Sequence, residues 1–215
     1  MFADREDAGR QLAARLEHLR GERPVVLGLP RGGVVVAAEI ARALGAPLDA
    51  LVVRKIGAPF QPELALGAVI DGNPPQQVRN EDLIETLRVD EEYLRQETER
   101  QLVEARRRQE AYRRGRPPVD IVDRTVIIVD DGIATGATMK AALTALSQSR
   151  VKRLVLAVPV GPPDTISALK GKVDELVYID APRHFRAVGA FYGQFAQTTD
   201  EEVVALLEES NADQA

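Results

Sequence analysis

The 215-residue chain has a formal net charge of −5, no cysteine and only two histidines. The acidic balance gives no electrostatic footprint for nucleic acid, the lack of cysteine excludes disulfides and thiol catalysis, and two histidines cannot form a histidine-rich metal site. No apolar run approaches the roughly 18 residues of a membrane-spanning helix, and the N-terminus is polar, so we expect no membrane span, no secretory signal and a cytoplasmic location.

Strands and helices are predicted to alternate along most of the chain. In the first part the pattern predicts a helix over 6–20, a strand over 24–29, a helix over 34–44, strands over 48–53 and 64–70, a loop at 54–59 and a turn at 71–74. In the last part it predicts a strand over 126–129, a helix over 138–147, a strand over 153–158, a short helix over 165–170 and a strand over 175–179. Repeated strand–helix units favour a single α/β domain over 1–215 with a mostly parallel, twisted sheet.

Residues 80–116 interrupt this alternation. They are rich in Glu, Arg and Gln, with charged pairs at i,i+4 spacing such as Glu104 and Arg108, and they carry a narrow apolar stripe that includes Leu94 and Tyr112. The pattern predicts one long, mostly solvated helix. A surface helix packed on the domain or on a dimer mate is the favoured interpretation, and a mobile lid over a ligand site is the alternative.

The most informative pattern lies at residues 126–138. A β-branched strand ends at two adjacent carboxylates, Asp130 and Asp131, and a loop of small residues comes next. A strand that is apolar on both faces is typical of a central parallel strand, whose carboxyl end binds ligands in α/β proteins. Residues 134–138 have little bulk, so backbone N–H groups can close around an anion at a helix N-terminus. The carboxylates suit hydroxyls or a hard cation, so the pattern predicts a sugar-phosphate site.

This loop differs from two common phosphate-binding motifs, because it lacks the Gly-Lys-Ser/Thr of a P-loop and no dinucleotide fingerprint comes after a predicted strand. It resembles the loop that binds phosphoribosyl pyrophosphate (PRPP) in type I phosphoribosyltransferases: an apolar strand, two acidic residues, a spacer and Thr-Gly-x-Thr. Two further segments are similar to that family, the loop Arg31-Gly32-Gly33 and the pair Arg54-Lys55. The resemblance implies a three-layer α/β fold with a long inserted helix at 80–116 and a small C-terminal hood at 159–199.

The resemblance also implies roles for the matching residues. Asp130 and Asp131 would hold the ribose hydroxyls, directly or through Mg²⁺, and would take part in catalysis with Arg54 and Lys55. The residues implied for the 5′-phosphate are Gly132, Ala134, Thr135, Gly136, Ala137 and Thr138. The residues implied for pyrophosphate are Arg31, Gly32, Gly33, Arg54 and Lys55. The implied reaction is Mg²⁺-dependent transfer of phosphoribose from PRPP to a nitrogen acceptor, such as a nucleobase, with release of pyrophosphate.

The acceptor is the least defined part of this hypothesis. Enzymes of the family that act on 6-oxopurines carry an Asp where this chain has Ala134, which argues against hypoxanthine or guanine without establishing adenine. The candidate acceptor-binding residues in the hood are Val160, His184, Phe185 and Tyr192. Aromatic rings suit stacking on a planar base, although packing in the core is the alternative. A non-catalytic PRPP sensor is the second functional hypothesis, and a homodimer without nucleic-acid or membrane partners is the expected state.

Overall fold

The structure is a computed structural model that describes residues 1–70 and 75–212, so the turn predicted at 71–74 lies outside the described residues. Its strands are β1 (Val25–Gly28), β2 (Leu48–Ala50), β3 (Val53–Ala58), β4 (Gln61–Ile70), β5 (Gln76–Arg79), β6 (Thr125–Val129), β7 (Arg153–Val160) and β8 (Glu175–Asp180). Five of them form a parallel sheet in the order β2-β1-β6-β7-β8. The other three form an antiparallel sheet in the order β3-β4-β5.

The helices of the described residues are α1 (Arg5–Leu16), α2 (Gly32–Leu44), α3 (Glu81–Leu87), α4 (Glu91–Arg113), α5 (Ala137–Ser147), α6 (Pro163–Lys170) and α7 (Asp200–Ala212). Short 3₁₀ turns follow α1 at Glu17–Glu22 and precede α7 at Val188–Phe191. Within the described part of the chain, no helix is both long enough and apolar enough to cross a bilayer.

The parallel sheet has a helical layer on each face. Ile127 and Val129 of β6 pack into a core with α1, α2 and α7, whereas Val126 and Ile128 pack into a core with α5 and α6. All five residues of β6 are buried, as expected for a central strand covered on both faces. The predicted three-layer α/β fold around a mostly parallel sheet is therefore confirmed.

The loop predicted at 54–59 is wrong, because these residues belong mainly to strand β3, which pairs antiparallel with β4. Ile56 and Ala58 are buried in a small core with Leu66 of β4 and Leu94 of α4. The sequence pattern of β3 is too short to indicate a strand. Two adjacent charged residues, Arg54 and Lys55, lie near its start, and only Ile56 and Ala58 alternate as apolar residues after them. Strand β5 and helix α7 were also not predicted.

The segment at 80–116 contains two helices rather than one. Arg88, with φ of 49°, lies in the left-handed region and ends α3, and Asp90 then caps α4 by accepting hydrogen bonds from the backbone N–H groups of Glu92 and Tyr93. Aspartate is a favoured N-cap residue, and it marks the start of the second helix. The long helix itself is confirmed as α4, and its predicted Glu104–Arg108 pair is present at 2.8 Å.

Helix α4 packs along the edge of the domain where β2 leads into β3. Gln109 donates from Nε2 to the carbonyl oxygen of Ala50 (2.6 Å) and accepts from the N–H of Val52 (3.3 Å), so it satisfies backbone groups between the two strands. Arg113 forms an ion pair with the buried Asp49 of β2 at 2.8 Å. These contacts agree with a packed helix rather than a mobile lid.

The strand order places a switch point at β1. The chain leaves β1 through α2 to reach β2 on one side, and the strand on the other side of β1 is β6. In open α/β sheets, ligands bind in the crevice outside the carboxyl ends of the strands at such a point. The loops after β1 and β6 therefore lie where the fold is suited to bind a ligand.

Candidate active site

The loops after β1 and β6 are in direct contact. Gly28 and Val129 are register partners at the ends of the two strands, and the N–H of Leu29 donates to the carbonyl oxygen of Val129 at 2.9 Å. A Cβ on Gly33 would lie 2.8 Å from that same oxygen and 2.9 Å from the Cα of Asp130. The glycine lets the start of α2 lie against the carboxylate pair Asp130–Asp131, termed the dyad. The structure thus brings the predicted Arg31–Gly33 loop and the dyad together.

The dyad carboxylates have different surroundings. Asp130 is half-buried, and its Oδ1 accepts from the N–H of Asp131 at 2.9 Å. Burial and the neighbouring Asp131 carboxylate raise the pKa of Asp130 well above its usual range. Asp131 is paired with Arg5, whose Nε lies 2.7 Å from Asp131 Oδ2. The hydroxyl of Tyr192 donates to the carbonyl oxygen of Asp131 at 2.5 Å.

The loop between β6 and α5 begins a helix without a side-chain cap. Gly136 is the N-cap residue, has φ of 72°, and has no side chain with which to accept from the first N–H groups of the helix. The N–H groups of the first turn have no acceptor inside a helix, so this end suits an anion. The loop is anchored from the opposite side, because Ile133 donates to the carbonyl oxygen of Val160 and Thr165 donates to that of Ala134.

Helix α2 has a similar start. Its N-cap residue is Arg31, whose side chain makes no cap hydrogen bond, and its first residues are Gly32 and Gly33. By contrast, α1, α3 and α4 begin with Asp4, Asn80 and Asp90, whose side chains accept from the first turn. Helix α6 also begins without a side-chain cap. The uncapped starts of α2 and α5 differ from it in following the adjacent strands β1 and β6 at the switch point, and the dyad lies in the loop between β6 and α5.

Arg54 and Lys55 lie on β3, at the start of the antiparallel sheet, rather than on the predicted loop. Arg54 is half-buried, and its Nε donates to Oε1 of Gln101 on α4 at 3.0 Å. Gln101 in turn donates to Oε1 of the buried Glu97 at 2.7 Å. Arg54 is therefore held by α4. The hydrogen bond that the structure describes for its side chain is to Gln101 and not to the Arg31–Gly33 loop.

The predicted acceptor residues are brought only partly together. Val160 and Tyr192 are buried in an apolar cluster with Phe2, and Phe185 packs against that cluster, whereas His184 is exposed. Burial raises the pKa of Tyr192, so its hydroxyl remains a hydrogen-bond donor. The aromatic rings are mostly packed against one another, which favours the core-packing alternative for this part of the predicted hood.

The predicted hood at 159–199 also includes parts of the main sheet. Residues 159–160 end β7, and β8 is the edge strand of the parallel sheet. The segment after β8, residues 181–199, contains the 3₁₀ turn and the aromatic cluster. A Cβ on Gly132 would lie 2.5 Å from the side chain of Val188, so this segment does lie against the loop between β6 and α5, termed the dyad loop.

Arg5 is a site residue that was not predicted from the sequence. It lies on α1, pairs with Asp131, and places its guanidinium carbon 3.9 Å from the ring centroid of Phe195. A cation in the first turn of a helix is unfavourable for the helix dipole, and this is the signal that could have indicated a role outside the helix.

A cavity of 380 Å³ lies in front of these residues. Its walls are formed by Arg5, Arg31, Gly32, Asp131, Phe195, Ala196, Gln197 and Thr198. It joins the start of α2, the dyad and the N-terminal helix in one space. Two arginines and one carboxylate are the charged groups in this lining, so the cavity carries a positive balance that suits a polyanion.

The dyad offers hard oxygen donors for Mg²⁺. Mg²⁺ is usually held by one or two carboxylates, with the remaining oxygens supplied by substrate phosphates and water. Among the described residues, no group of three or more His, Cys, Asp or Glu side chains could enclose a metal ion. The two carboxylates of Asp130 and Asp131 are of the donor type that binds Mg²⁺ in proteins.

Parallel sheets with ligand loops at the switch point define a class of α/β proteins that bind nucleotides and sugar phosphates. Within it, this chain belongs to the phosphoribosyltransferase family, because the family model for the phosphoribosyl transferase domain matches residues 3–192.

Similar proteins cover nearly all of the chain. A Mycobacterium tuberculosis protein named "Putative phosphoribosyl transferase" is 50% identical over 213 residues, which are 99% of this chain and 48% of that protein. This chain thus spans about half the length of the curated relatives that it matches. The crystal structure of TT1426 from Thermus thermophilus is 48% identical, with a TM-score of 0.86, and the match covers 97% of this chain and 98% of that one. A purine phosphoribosyltransferase of Pyrococcus horikoshii aligns over 89% of each chain with 16% identity and a TM-score of 0.48.

Proposed function

We propose that this protein transfers the phosphoribosyl group of PRPP to a nitrogen acceptor and releases pyrophosphate in a Mg²⁺-dependent reaction. The proposed acceptor is a nucleobase or a related heterocycle. The single observation that supports this most is the contact between the uncapped start of α2 and the dyad at the switch point, with the uncapped start of α5 following the dyad in the same loop. Two anion sites and a hydroxyl-binding pair match the phosphate, ribose and pyrophosphate of PRPP.

The 5′-phosphate is proposed to bind at the start of α5. Loop residues 134–138 have no long side chains, and Thr135 and Thr138 add hydroxyl donors to the backbone N–H groups. Ala134, Thr135 and Ala137 are exposed, so a ligand can reach this loop from solvent. The helix dipole favours a dianion at this end.

Pyrophosphate is proposed to bind at the start of α2, in the 380 Å³ cavity. Gly32 and Gly33 allow close approach to the backbone, and Arg31 lines the same cavity. Arg54, held by Gln101, is proposed to contribute positive charge from β3. Lys55 is exposed beside it and is proposed for the same role.

Asp130 and Asp131 are proposed to hold the ribose hydroxyls and the metal ion. When bound, Mg²⁺ would neutralise charge on the leaving pyrophosphate and orient it. The chain itself aligns the ribose between two fixed anion sites, and its arginines stabilise charge that develops on the leaving group. Carboxylates beside the sugar also favour positive charge that develops on the ribose ring in the transition state.

The acceptor site is proposed to lie between the dyad loop and residues 181–199. The methyl side chain of Ala134 can neither donate nor accept a proton. Any proton exchange with the phosphoribosyl acceptor must therefore use another group. Val160, His184, Phe185 and Tyr192 stay the candidate residues, although Tyr192 is 6% exposed and already bonded to Asp131. The proposed homodimer also stays a prediction.

The direct test is pyrophosphate release from PRPP in the presence of Mg²⁺ against a panel of purines, pyrimidines, orotate and other heterocycles. We expect release that depends on one class of acceptor and that EDTA abolishes. PRPP binding without release for any acceptor would support the second hypothesis, a non-catalytic PRPP sensor. A protein that neither binds nor turns over PRPP would contradict both.

A further inference from the structure

The N-terminal helix places a cation between the two halves of the proposed donor site. Arg5 begins α1, far from the dyad in sequence, yet its Nε lies 2.7 Å from Asp131 Oδ2. The side chain of Arg5 is 12% exposed and that of Asp131 is 16% exposed, so the pair is largely shielded from water. Salt screens the charges of a shielded ion pair less than those of a surface pair. The positive charge of Arg5 can therefore act on a ligand bound beside it.

Three contacts fix the orientation of this guanidinium. Nη1 donates to the carbonyl oxygen of Ala196 at 2.7 Å, Nε donates to Asp131, and the planar group lies over the ring of Phe195. Phe195 is itself held against Gly189, where a Cβ would come within 2.7 Å of the ring. Arginine can place its fork of donors in fixed geometry, which a lysine cannot do.

Arg5 also touches the loop proposed for pyrophosphate. A Cβ on Gly32 would lie 2.6 Å from the Nε of Arg5, and Arg5, Arg31 and Gly32 line the same 380 Å³ cavity. The guanidinium has five N–H donors, and its hydrogen bonds to the described residues Asp131 and Ala196 use two of them. The remaining donors belong to a side chain that lines the cavity.

We propose that Arg5 is a substrate-contacting residue that bridges Asp131 and the pyrophosphate group of PRPP. The inference rests on the proposed function. A pyrophosphate at Gly32 would lie beside the two carboxylates of the dyad, and like charges at that separation repel each other. Arg5 lies between them and offsets this repulsion, while its remaining donors form charge-assisted hydrogen bonds to a phosphate oxygen.

A purely structural role for Arg5 predicts different behaviour. If the arginine only neutralised Asp131, a lysine at position 5 would keep the positive charge, and Arg5→Lys would bind pyrophosphate as wild type does. The bridging role predicts that pyrophosphate binding weakens in both variants, because lysine cannot reproduce the fork of donors, and that binding of ribose 5-phosphate, which lacks pyrophosphate, changes little. The lysine variant therefore separates the two roles.

The experiment is calorimetric titration of wild type, Arg5→Ala and Arg5→Lys with PRPP, inorganic pyrophosphate and ribose 5-phosphate, each with and without Mg²⁺. Arg10→Ala is the matched control, because Arg10 lies on the same helix, is 56% exposed and pairs only loosely with Glu6 at 3.9 Å. We expect Arg5→Ala to weaken pyrophosphate binding about 10- to 100-fold, as for loss of a charge-assisted hydrogen bond. Arg5→Lys should fall between Arg5→Ala and wild type, and Arg10→Ala should match wild type.

The possible outcomes are distinct. Unchanged pyrophosphate affinity in Arg5→Ala, or in Arg5→Lys if the alanine variant does not fold, overturns the bridging role while leaving the proposed function intact. Pyrophosphate binding by Arg5→Lys that is as tight as in wild type, with weakened binding by Arg5→Ala, assigns Arg5 to neutralising Asp131 and also overturns it. Wild-type protein that binds neither PRPP nor pyrophosphate overturns the proposed function, and the bridging role falls with it.

Discussion

Gly32 lies so close to Asp131 that a Cβ on the glycine would overlap the aspartate carboxylate. Gly32 is the first residue of α2 after β1, and Asp131 lies in the loop after β6; the strand register brings them together. The same position would crowd the Nε of Arg5. A glycine is thus needed where the backbone of the α2 start meets the dyad, and this contact places the proposed pyrophosphate site beside the dyad.

Gly32→Ala should therefore impair the site. The added methyl group must displace Asp131 and Arg5, so we expect loss of pyrophosphate binding and a decrease in the free energy of unfolding of about 1–3 kcal/mol, as for an overpacked position. Titration with pyrophosphate and urea unfolding measure the two effects. Gly171→Ala is the matched control, because a Cβ there would meet no atom of the described residues within 4 Å and its φ is −78°. Equal behaviour of the two variants would contradict the crowding at Gly32.

Asp131→Asn should abolish PRPP binding or turnover. The amide keeps the size of the side chain but loses the negative charge that would hold the metal ion and accept from ribose hydroxyls. We expect a loss of about 100-fold or more in kcat/KM, in line with about 2.7–4 kcal/mol for removal of a site-directed electrostatic contact. Asp82→Asn, on the exposed first turn of α3, is the control. Unchanged PRPP affinity and rate in Asp131→Asn would refute the assignment of the dyad.

Gln101→Ala tests whether α4 positions Arg54. Loss of the acceptor at 3.0 Å frees the guanidinium, so PRPP affinity should fall by about 3- to 10-fold, the size of one hydrogen bond. Loss of the hydrogen bond from Gln101 to Glu97 should also lower the free energy of unfolding by about 1 kcal/mol. A larger effect on KM than on kcat would distinguish positioning for binding from general damage. Gln96→Ala, exposed on the same helix and bonded to Glu92, should bind PRPP as wild type does. Equal losses in both variants would argue against a positioning role.

Glu97 should make stability depend on pH. Burial opposes its charge, yet hydrogen bonds from Arg100 and Gln101 and the charges of Arg100 and Arg54 hold the pKa of Glu97 below its usual value. A carboxyl whose pKa is lower in the folded state stabilises above the unfolded pKa of about 4.3, and this contribution disappears as the pH falls through the folded pKa.

Glu97→Gln is therefore expected to lower the free energy of unfolding by about 1 kcal/mol at pH 7. The difference from wild type should shrink as the pH drops below about 4, because the wild-type carboxyl then becomes protonated. Urea unfolding of wild type and Glu97→Gln at pH 7 and at a pH below about 4 measures this difference. A difference that stays constant with pH would show that the charge of Glu97 has no such role.

The parallel sheet and the dyad loop could be predicted from the sequence because both depend on local patterns. The buried run of β6 and the small residues after it are contiguous, and they need no knowledge of distant contacts. Strand β3 was missed because Arg54 and Lys55 interrupt its apolar pattern, and its burial comes from α4, whose Gln101 is 47 residues from Arg54. Arg5 was missed for a similar reason, since its partner Asp131 is 126 residues away and only the tertiary fold brings them together.

A crystal structure of the protein with PRPP and Mg²⁺ would show whether the switch point is the donor site. We expect the 5′-phosphate at residues 134–138, the ribose hydroxyls at Asp130 and Asp131, and the pyrophosphate against Gly32 and Arg31. PRPP bound at another surface, or bound here with its pyrophosphate directed away from the start of α2, would contradict the proposed donor site.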